Sequence, residues 1–311
     1  MRRAVVVGGS GFIGGEVVSA LLAAGDEVVV FDRSVSQGRV DARFGRHAAR
    51  AVRGDIGDPE ALRTAFARAD EVYHLAGALG TSELDAQLRH AVEANVIGAV
   101  NVFEAAARAG VTTVFLASKP NVWLNAYSIT KHAAEQLAQL VAERDGVRVC
   151  ALRFFNAYGP RQSLRPVRKI VPTFAAQALR GQPLGVFGDG EQTVDMILAA
   201  DAGRLAVELV RSGHAGPPID CGRGVAMTVN EVAAAVNAYL GNRAGVTHLP
   251  MRPGETPGTR LVADVAPLRA AVGEPRFAPW EESLAATLDW YARLDPREID
   301  AAVAEHAANA A

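Results

Sequence analysis

Ala4-Val5-Val6-Val7-Gly8-Gly9-Ser10-Gly11-Phe12-Ile13-Gly14 is the stretch whose reading decides the fold. Unbroken small and branched apolar residues suit a strand, here Arg3–Val7, buried on both faces. Glycines at 8, 11 and 14 follow at once, and a helix-period segment, Phe12–Ala24, then runs to Gly25 at a C-cap position. Such glycines permit a tight turn and let the backbone approach a pyrophosphate, whose charge suits a helix N-terminus. With 30 glycines in the chain, chance supplies about 0.3 matches to G-x-x-G-x-x-G, so the strand-turn-helix context carries the reading. Gly8, Gly11, Phe12, Ile13 and Gly14 are therefore expected to hold a dinucleotide. Asp32 closes the next strand, Glu27–Asp32, where a carboxylate accepts from both adenosine ribose hydroxyls and repels a 2′-phosphate. NAD is favoured over NADP, with Arg33 as the residue that would accommodate that phosphate. Asp55 and Ile56 follow the third strand, placed for the adenine edge and face.

Further strands are expected at Ala51–Arg53, Glu71–Leu75, Thr112–Ala117 and Val147–Phe154, with helices at Pro59–Ala69, Leu84–Ala109 and Tyr127–Arg144. Apolar strands separated by helices predict an α/β fold, a Rossmann-type doubly wound parallel sheet. After about residue 157 proline and glycine become dense, and helices at Ile170–Arg180, Val229–Leu240 and Trp280–Leu294 stand between loops. This part is read as a smaller, loop-rich C-terminal substrate lobe. The expected division is 1–165 as the NAD-binding Rossmann domain, joined by 192–222, then 166–191 and 223–295 as the lobe, and 296–311 as a helical tail.

Half of the 311 residues are hydrophobic and 21% charged, which excludes a disordered chain, and the net charge of −2 gives no basis for nucleic-acid binding. Two cysteines exclude a disulfide scaffold and a multi-cysteine metal site; no metal is expected. No apolar run is long enough to span a bilayer, and no signal-peptide core forms at the N-terminus, so a cytoplasmic protein is expected. Only three of the 32 basic residues are lysines (Lys119, Lys131 and Lys169), which makes the place of each informative.

Lys131 stands four residues after Tyr127 in Tyr127-Ser128-Ile129-Thr130-Lys131, so the two share a helix face. Five tyrosines and three lysines give about 0.05 chance matches to Y-x-x-x-K. An ammonium beside a phenol, with a cationic nicotinamide near it, is expected to lower the phenol's pKa towards that of a working base.

With these motifs in place, the chain resembles an extended short-chain dehydrogenase/reductase of the NAD-dependent nucleotide-sugar epimerase/dehydratase family, related to UDP-galactose 4-epimerase. His74-Leu75-Ala76-Gly77 looks like the family's fourth-strand cofactor motif, which implies that Leu75, Ala76 and Gly77 line the cofactor. Asn95-Val96-Ile97-Gly98 resembles its N-V-x-G helix, with Asn95 a structural and cofactor-side residue. Residues 153–162, Arg-Phe-Phe-Asn-Ala-Tyr-Gly-Pro-Arg-Gln, are close to R-x-x-N-x-Y-G-P-x-Q. Gly188–Thr193 and Arg252-Pro253-Gly254-Glu255 resemble the lobe's G-D-G-x-Q-T and R-P-G-E. The resemblance implies substrate contacts at Asn156, Arg161, Val171, Phe187, Gln192, Arg252 and Glu255, with Arg252 on the diphosphate through its guanidinium fork.

Three departures bear on the substrate. Aligned on Val122-Trp123 as the family's V-Y pair, the catalytic hydroxyl position falls on Lys119, with Ser118 one residue early. Either Ser118 substitutes, or Lys119 donates to the substrate oxygen, or Thr130 helps. Only Leu124, Asn125 and Ala126 separate the pair from Tyr127, where the family has a longer loop. Q-T-R-D-F becomes Gln192-Thr193-Val194-Asp195-Met196, losing an arginine that Arg161, Arg165, Arg168 or Lys169 would replace.

The resemblance implies oxidation at the sugar C4 with Tyr127 as base and Lys131 beside it. A 4,6-dehydratase adds a carboxylate pair after the fifth strand, a decarboxylase a Glu there, and a 3,5-epimerase a Cys with Lys; Lys119-Pro120-Asn121 supplies none of these. Subtraction favours 4-epimerisation of a nucleoside-diphosphate sugar. A 4-ketoreductase, a dehydratase with other acids, or a cofactor-binding protein with degraded catalysis are the alternatives. The Ala-rich helices at 84–109 and 127–144 lie where related proteins pair, so a homodimer is expected.

Overall fold

The computed structural model describes residues 1–120, 123–252 and 254–308. Asn121, Val122, Pro253 and residues 309–311, on which parts of the alignment and the tail rest, lie outside the described residues.

Through residue 154 the chain alternates as expected: β1 (Arg3–Val7), α1 (Phe12–Ala23), β2 (Glu27–Asp32), α2 (Gln37–Phe44), β3 (Ala49–Arg53), α3 (Pro59–Phe66), β4 (Glu71–His74), α4 (Leu88–Val92), α5 (Gly98–Arg108), β5 (Thr113–Ser118), α6 (Ala126–Asp145) and β6 (Arg148–Phe154). Then follow β7 (Asn156–Tyr158), α7 (Ile170–Leu179), β8 (Leu184–Phe187), β9 (Thr193–Val194), β10 (Met196–Leu198), α8 (Ala199–Ser212), β11 (Ile219–Cys221), β12 (Met227–Thr228), α9 (Val229–Leu240), β13 (Val246–Leu249), α10 (Ala266–Val272), α11 (Trp280–Ala292) and α12 (Pro296–Ala308).

Two compact units result. The first comprises Met1–Phe154, Ala199–Cys221 and Asp264–Pro275. Its seven-stranded parallel sheet runs β11-β6-β5-β4-β1-β2-β3, a Rossmann-type order. Ala4, Val5, Val6 and Val7 are fully buried, because β1 is central and covered on both faces. The strand order reverses between β1 and β4, so the loops leaving their C-terminal ends diverge and open a crevice beside the Gly8 turn. Helix α8 returns to this unit and packs on α1; a Cβ at Gly203 would stand 2.6 Å from the Glu16 carbonyl carbon, so only glycine allows that approach.

The helix expected over 84–109 is interrupted. A 3₁₀ turn (Asp85–Gln87) precedes α4, and a π turn (Glu93–Ile97) separates α4 from α5. The widened turn carries Asn95, whose Oδ1 accepts from Ala78 N (2.8 Å) while Nδ2 donates to Ala78 O (2.9 Å) and Thr130 Oγ1 (3.1 Å). Periodicity is blind to one extra residue in a turn. It also passes over α2 and α10, which are short; each buries one residue, Val40 and Leu268.

The second unit comprises Phe155–Leu198, Gly222–Ala263 and Arg276–Ala311. Residues 155–165 and 192–198, expected in the first domain, fall here, since β7 pairs with β10 and not with the large sheet. Residues 264–275 fall in the first unit, where α10 packs on α8 and β11. The tail is also structural: Ile299 and Ala302 of α12 are buried in the core of this unit with Tyr158, Trp280 and Tyr291. Its organising polar group is Asp195, fully buried, whose carboxylate accepts from the backbone N–H groups of Arg223 (2.8 Å), Gly224 (2.8 Å) and Ala263 (3.1 Å).

Asp195→Asn would turn one of those acceptor oxygens into an NH₂ facing backbone donors. The expected result is a lower urea midpoint in equilibrium unfolding, with a loss of about 2 kcal/mol; an unchanged midpoint would contradict this account.

Candidate active site

The turn after β1 is held from three sides. Gly8 N donates to Phe31 O (2.8 Å) and Gly11 N to Gly8 O (3.0 Å). Gly8 has φ +85°, and a Cβ there would stand 2.6 Å from Ala76 N; both facts demand glycine. A Cβ at Gly14 would meet Gly8 O at 2.1 Å. Gly11 is the N-cap of α1 and has no side chain to cap it, so the first-turn amides of Phe12, Ile13 and Gly14 are free of a capping side chain and suit a phosphate. Arg43 on α2 donates to Gly11 O (3.1 Å) and pairs with Glu16; no sequence pattern signals it.

At the edge of this turn Asp32 Oδ1 accepts from Ser34 N (3.1 Å) and Ser34 Oγ (3.2 Å). Arg33 reaches to 3.8 Å from Asp55 Oδ2, and Asp55 also accepts from Gly57 N (2.7 Å). Ile56 is turned inwards: a Cβ on Gly98 would meet its Cδ1 at 2.5 Å. Leu75 N and Ala76 N both donate to Val7 O, and Gly77 lies under Asn95, with space for no side chain. Gly8, Ala76, Gly77, Asn95 and Thr130 are thus one connected piece.

Tyr127 and Lys131 stand on the first turns of α6. The N-cap Asn125 accepts from Ser128 N (2.8 Å) and Asp85 from Ala126 N (2.8 Å), so the three residues of the shortened loop become the helix cap. Lys131 is 8% exposed. Among the described residues no hydrogen-bond partner exists for its ammonium or for the Tyr127 hydroxyl. In the chain by itself burial governs both groups. It pushes the Tyr127 phenol up to about 12 and pulls Lys131 down to about 8, against the opposing pull of Glu135. Burial, aided by Lys131, takes His74 down to about 3, so its imidazole is neutral.

The three candidates for the hydroxyl position separate cleanly. Thr130 Oγ1 donates to Ala126 O (2.7 Å) and takes the Asn95 bond, so it is spent on structure. Ser118 is buried near Glu135, and its Oγ has no hydrogen-bond partner among the described residues. Lys119 Nζ donates to Ser128 Oγ (2.7 Å) and Pro120 O (2.6 Å), and stands 5.5 Å from the ring centroids of both Trp123 and Tyr127. Of the three, Lys119 is the one whose ammonium stands by the Tyr127 ring.

A second cluster lies in the other unit. Phe187, ending β8, is flanked by the guanidinium carbons of Arg168 (5.3 Å) and Arg252 (5.1 Å). Arg252 pairs closely with Glu255 and keeps a buried Nε without a protein acceptor. Gln192 Nε2 donates to Phe187 O (2.7 Å). Val194 and Val171 are buried in the core, so Val171 presents no side chain at the surface. Asn156 lies on β7 with its backbone bonded to Asp195 O, and Arg161 is exposed at φ +69°. Among the described residues no group of histidine, cysteine and carboxylate side chains could hold a metal ion.

The family pattern described as the NAD dependent epimerase/dehydratase family matches residues 4–222. UDP-glucuronic acid decarboxylase 1 of Arabidopsis thaliana is 30% identical over 80% of this chain and 60% of its own length, so the chain spans about three fifths of that relative. UDP-glucose 4-epimerase of Azospirillum brasilense is 30% identical over 94% of this chain and 93% of its own. Among solved structures, a dTDP-glucose 4,6-dehydratase (DesIV) from Streptomyces venezuelae with NAD bound superposes with a TM-score of 0.85 at 26% identity, covering 94% and 97% of the two chains. A glycine turn over a doubly wound sheet and an unspent tyrosine–lysine pair agree with these matches: the chain belongs to the NAD dependent epimerase/dehydratase family, with NAD as its cofactor.

Proposed function

We propose that this chain is a 4-epimerase of a nucleoside-diphosphate sugar. One observation carries the reading: a phenol and a buried ammonium share one face of α6, and neither is spent on a protein hydrogen bond. Holding a largely buried lysine so is costly unless a ligand completes it. In this reading the pyrophosphate rests on the amides of residues 11–14, Asp32 takes the adenosine ribose, and Asp55 the adenine. Leu75, Ala76 and Gly77 line the cofactor, and Lys131 takes the second ribose. NAD supplies the hydride acceptor for oxidation at C4 and the donor for reduction.

Tyr127 Oη removes the C4 hydroxyl proton and later returns it. Lys131 stabilises the phenolate so formed, opposing the burial that raises the phenol. Lys119 donates to the C4 oxygen in place of a hydroxyl; its place over the Tyr127 ring and the commitment of Thr130 support this. Arg252, with Arg168 in place of the arginine lost at Val194, takes the diphosphate, a fork matching phosphate oxygens beside the Phe187 ring. Asn156, Arg161, Gln192 and Glu255 complete the substrate-binding set. The segment after β5 offers no carboxylate for dehydration, which favours simple turnover of the keto sugar and hydride return. Two free, buried cysteines accord with a reducing, cytoplasmic setting.

Leu88 and Val92 of α4, Ile97, and Ile129 and Leu140 of α6 are exposed. They form apolar stripes on helices that pack together. We assign this face to a second copy of the chain, giving a four-helix contact.

Incubation with UDP-, GDP- and dTDP-sugars, followed through anomeric NMR signals, is expected to interconvert one pair of C4 epimers without added cofactor. Tyr127→Phe should lower that rate at least about 10³-fold with NAD still bound. Stoichiometric consumption of added NADH would establish a ketoreductase instead. Lys119→Met should cost at least about tenfold in kcat, whereas Lys119→Ser should retain most activity; equal losses would remove Lys119 from the mechanism. Sedimentation should show a dimer at micromolar concentration and a monomer for Leu140→Glu.

A further inference from the structure

Glu135 stands four residues beyond Lys131 on the same face of α6 that carries Tyr127. It is 1% exposed, and neither the cofactor nor the substrate reading uses it. Arg153 on β6 grips its carboxylate with both arms, Nε to Oε1 at 2.9 Å and Nη2 to Oε2 at 2.8 Å. His132, half-exposed, places Nδ1 3.4 Å from Oε2. Ser118 of β5 lies on its other side.

We propose that Glu135 is a positioning residue that keeps Lys131 in its ammonium form, with Arg153 holding the carboxylate one turn away so that it supplies charge without contact. The reasoning rests on the reading of Lys131 as a working ammonium. An isolated cation in this interior would shed its proton; an anion one helical turn away opposes that. A direct Lys131–Glu135 bond would satisfy the charge equally well but would consume the donor needed at Tyr127 and the ribose. The two-armed grip of Arg153 fixes both carboxylate oxygens and so prevents that collapse.

The other charges around α6 do not take this role. His74 of β4 is neutral in the folded chain. Asp220 of β11 lies behind Arg153 and is itself raised by burial. Lys119, after β5, adds a like charge at Tyr127. Arg148 of β6 donates to Thr113. The pairs Arg89–Glu93 beside α4 and Glu104–Arg108 on α5 face solvent to a larger degree. Burial lowers Lys131 and Glu135 raises it, so removing the carboxylate must move the lysine downwards, and releasing it from Arg153 must move the lysine upwards.

The three lysines of the chain make this directly measurable. With isotope-labelled lysine in the full, NAD-loaded chain, three side-chain signals titrate, and Lys119→Arg and Lys169→Arg identify the one from Lys131. Glu135→Gln is expected to lower the Lys131 midpoint by at least about half a pH unit and to move the alkaline limb of kcat with it. Arg153→Gln is expected to raise the midpoint, which keeps the test open should Glu135→Gln fail to fold. Midpoints unmoved in the folded variants overturn the proposal, whatever the activity. Moved midpoints in a chain inactive on every sugar nucleotide uphold it and overturn the functional reading instead.

Discussion

A lysine only 8% exposed, with no hydrogen-bond acceptor for its ammonium among the described residues, is the constraint on which the rest of this site depends. Its fall from an ordinary 10.5 to about 8 represents a penalty on the charged form of roughly 3 kcal/mol. The fold carries that penalty on a well-anchored helix. Asn125 and Asp85 tie down the first turn of α6, Gly146 closes its C-terminus at φ 69°, and Asn95 bolts Thr130 to the strand-end loop at Ala78. A helix so fixed holds the lysine in one place, where a ligand can use its charge.

The glycine turn after β1 and the helix α6 are mechanically one object. Gly8 lies against the backbone of Ala76, Gly77 under the amide of Asn95, and Asn95 against Thr130. Each contact is too close for a side chain to intervene, so small residues on three separate strands and loops are required together. The π turn that carries Asn95 belongs to this arrangement. One extra residue in the helix aims a side-chain amide at a loop that a regular helix would pass by.

Much of this was legible in residue order. The buried run of β1 and the glycine spacing name the sheet and the phosphate turn, because both rest on local geometry. The Tyr127–Lys131 spacing puts both side chains on one helix face, since four residues make about one helical turn. The identity of the residue at the hydroxyl position was not legible: Ser118, Lys119 and Thr130 are all polar and all near Tyr127 in sequence. In the chain by itself burial raises the Tyr127 phenol, a depth that residue order does not show. Val171 looked like a contact residue and is core; the alanine-rich tail looked idle and closes a core.

The sequence by itself determined the parallel α/β sheet, the glycine turn and the placing of a phenol and an amine on one helix face, all consequences of short-range spacing. Only the tertiary structure decided that the Thr130 hydroxyl was already committed, that Arg168 and Arg252 flank one phenylalanine, and that a buried carboxylate gripped by Arg153 stands behind Lys131. Those depend on groups as far apart in the chain as residues 135 and 153 or 168 and 252, and hydrogen-bond partners chosen across such distances leave no periodic trace.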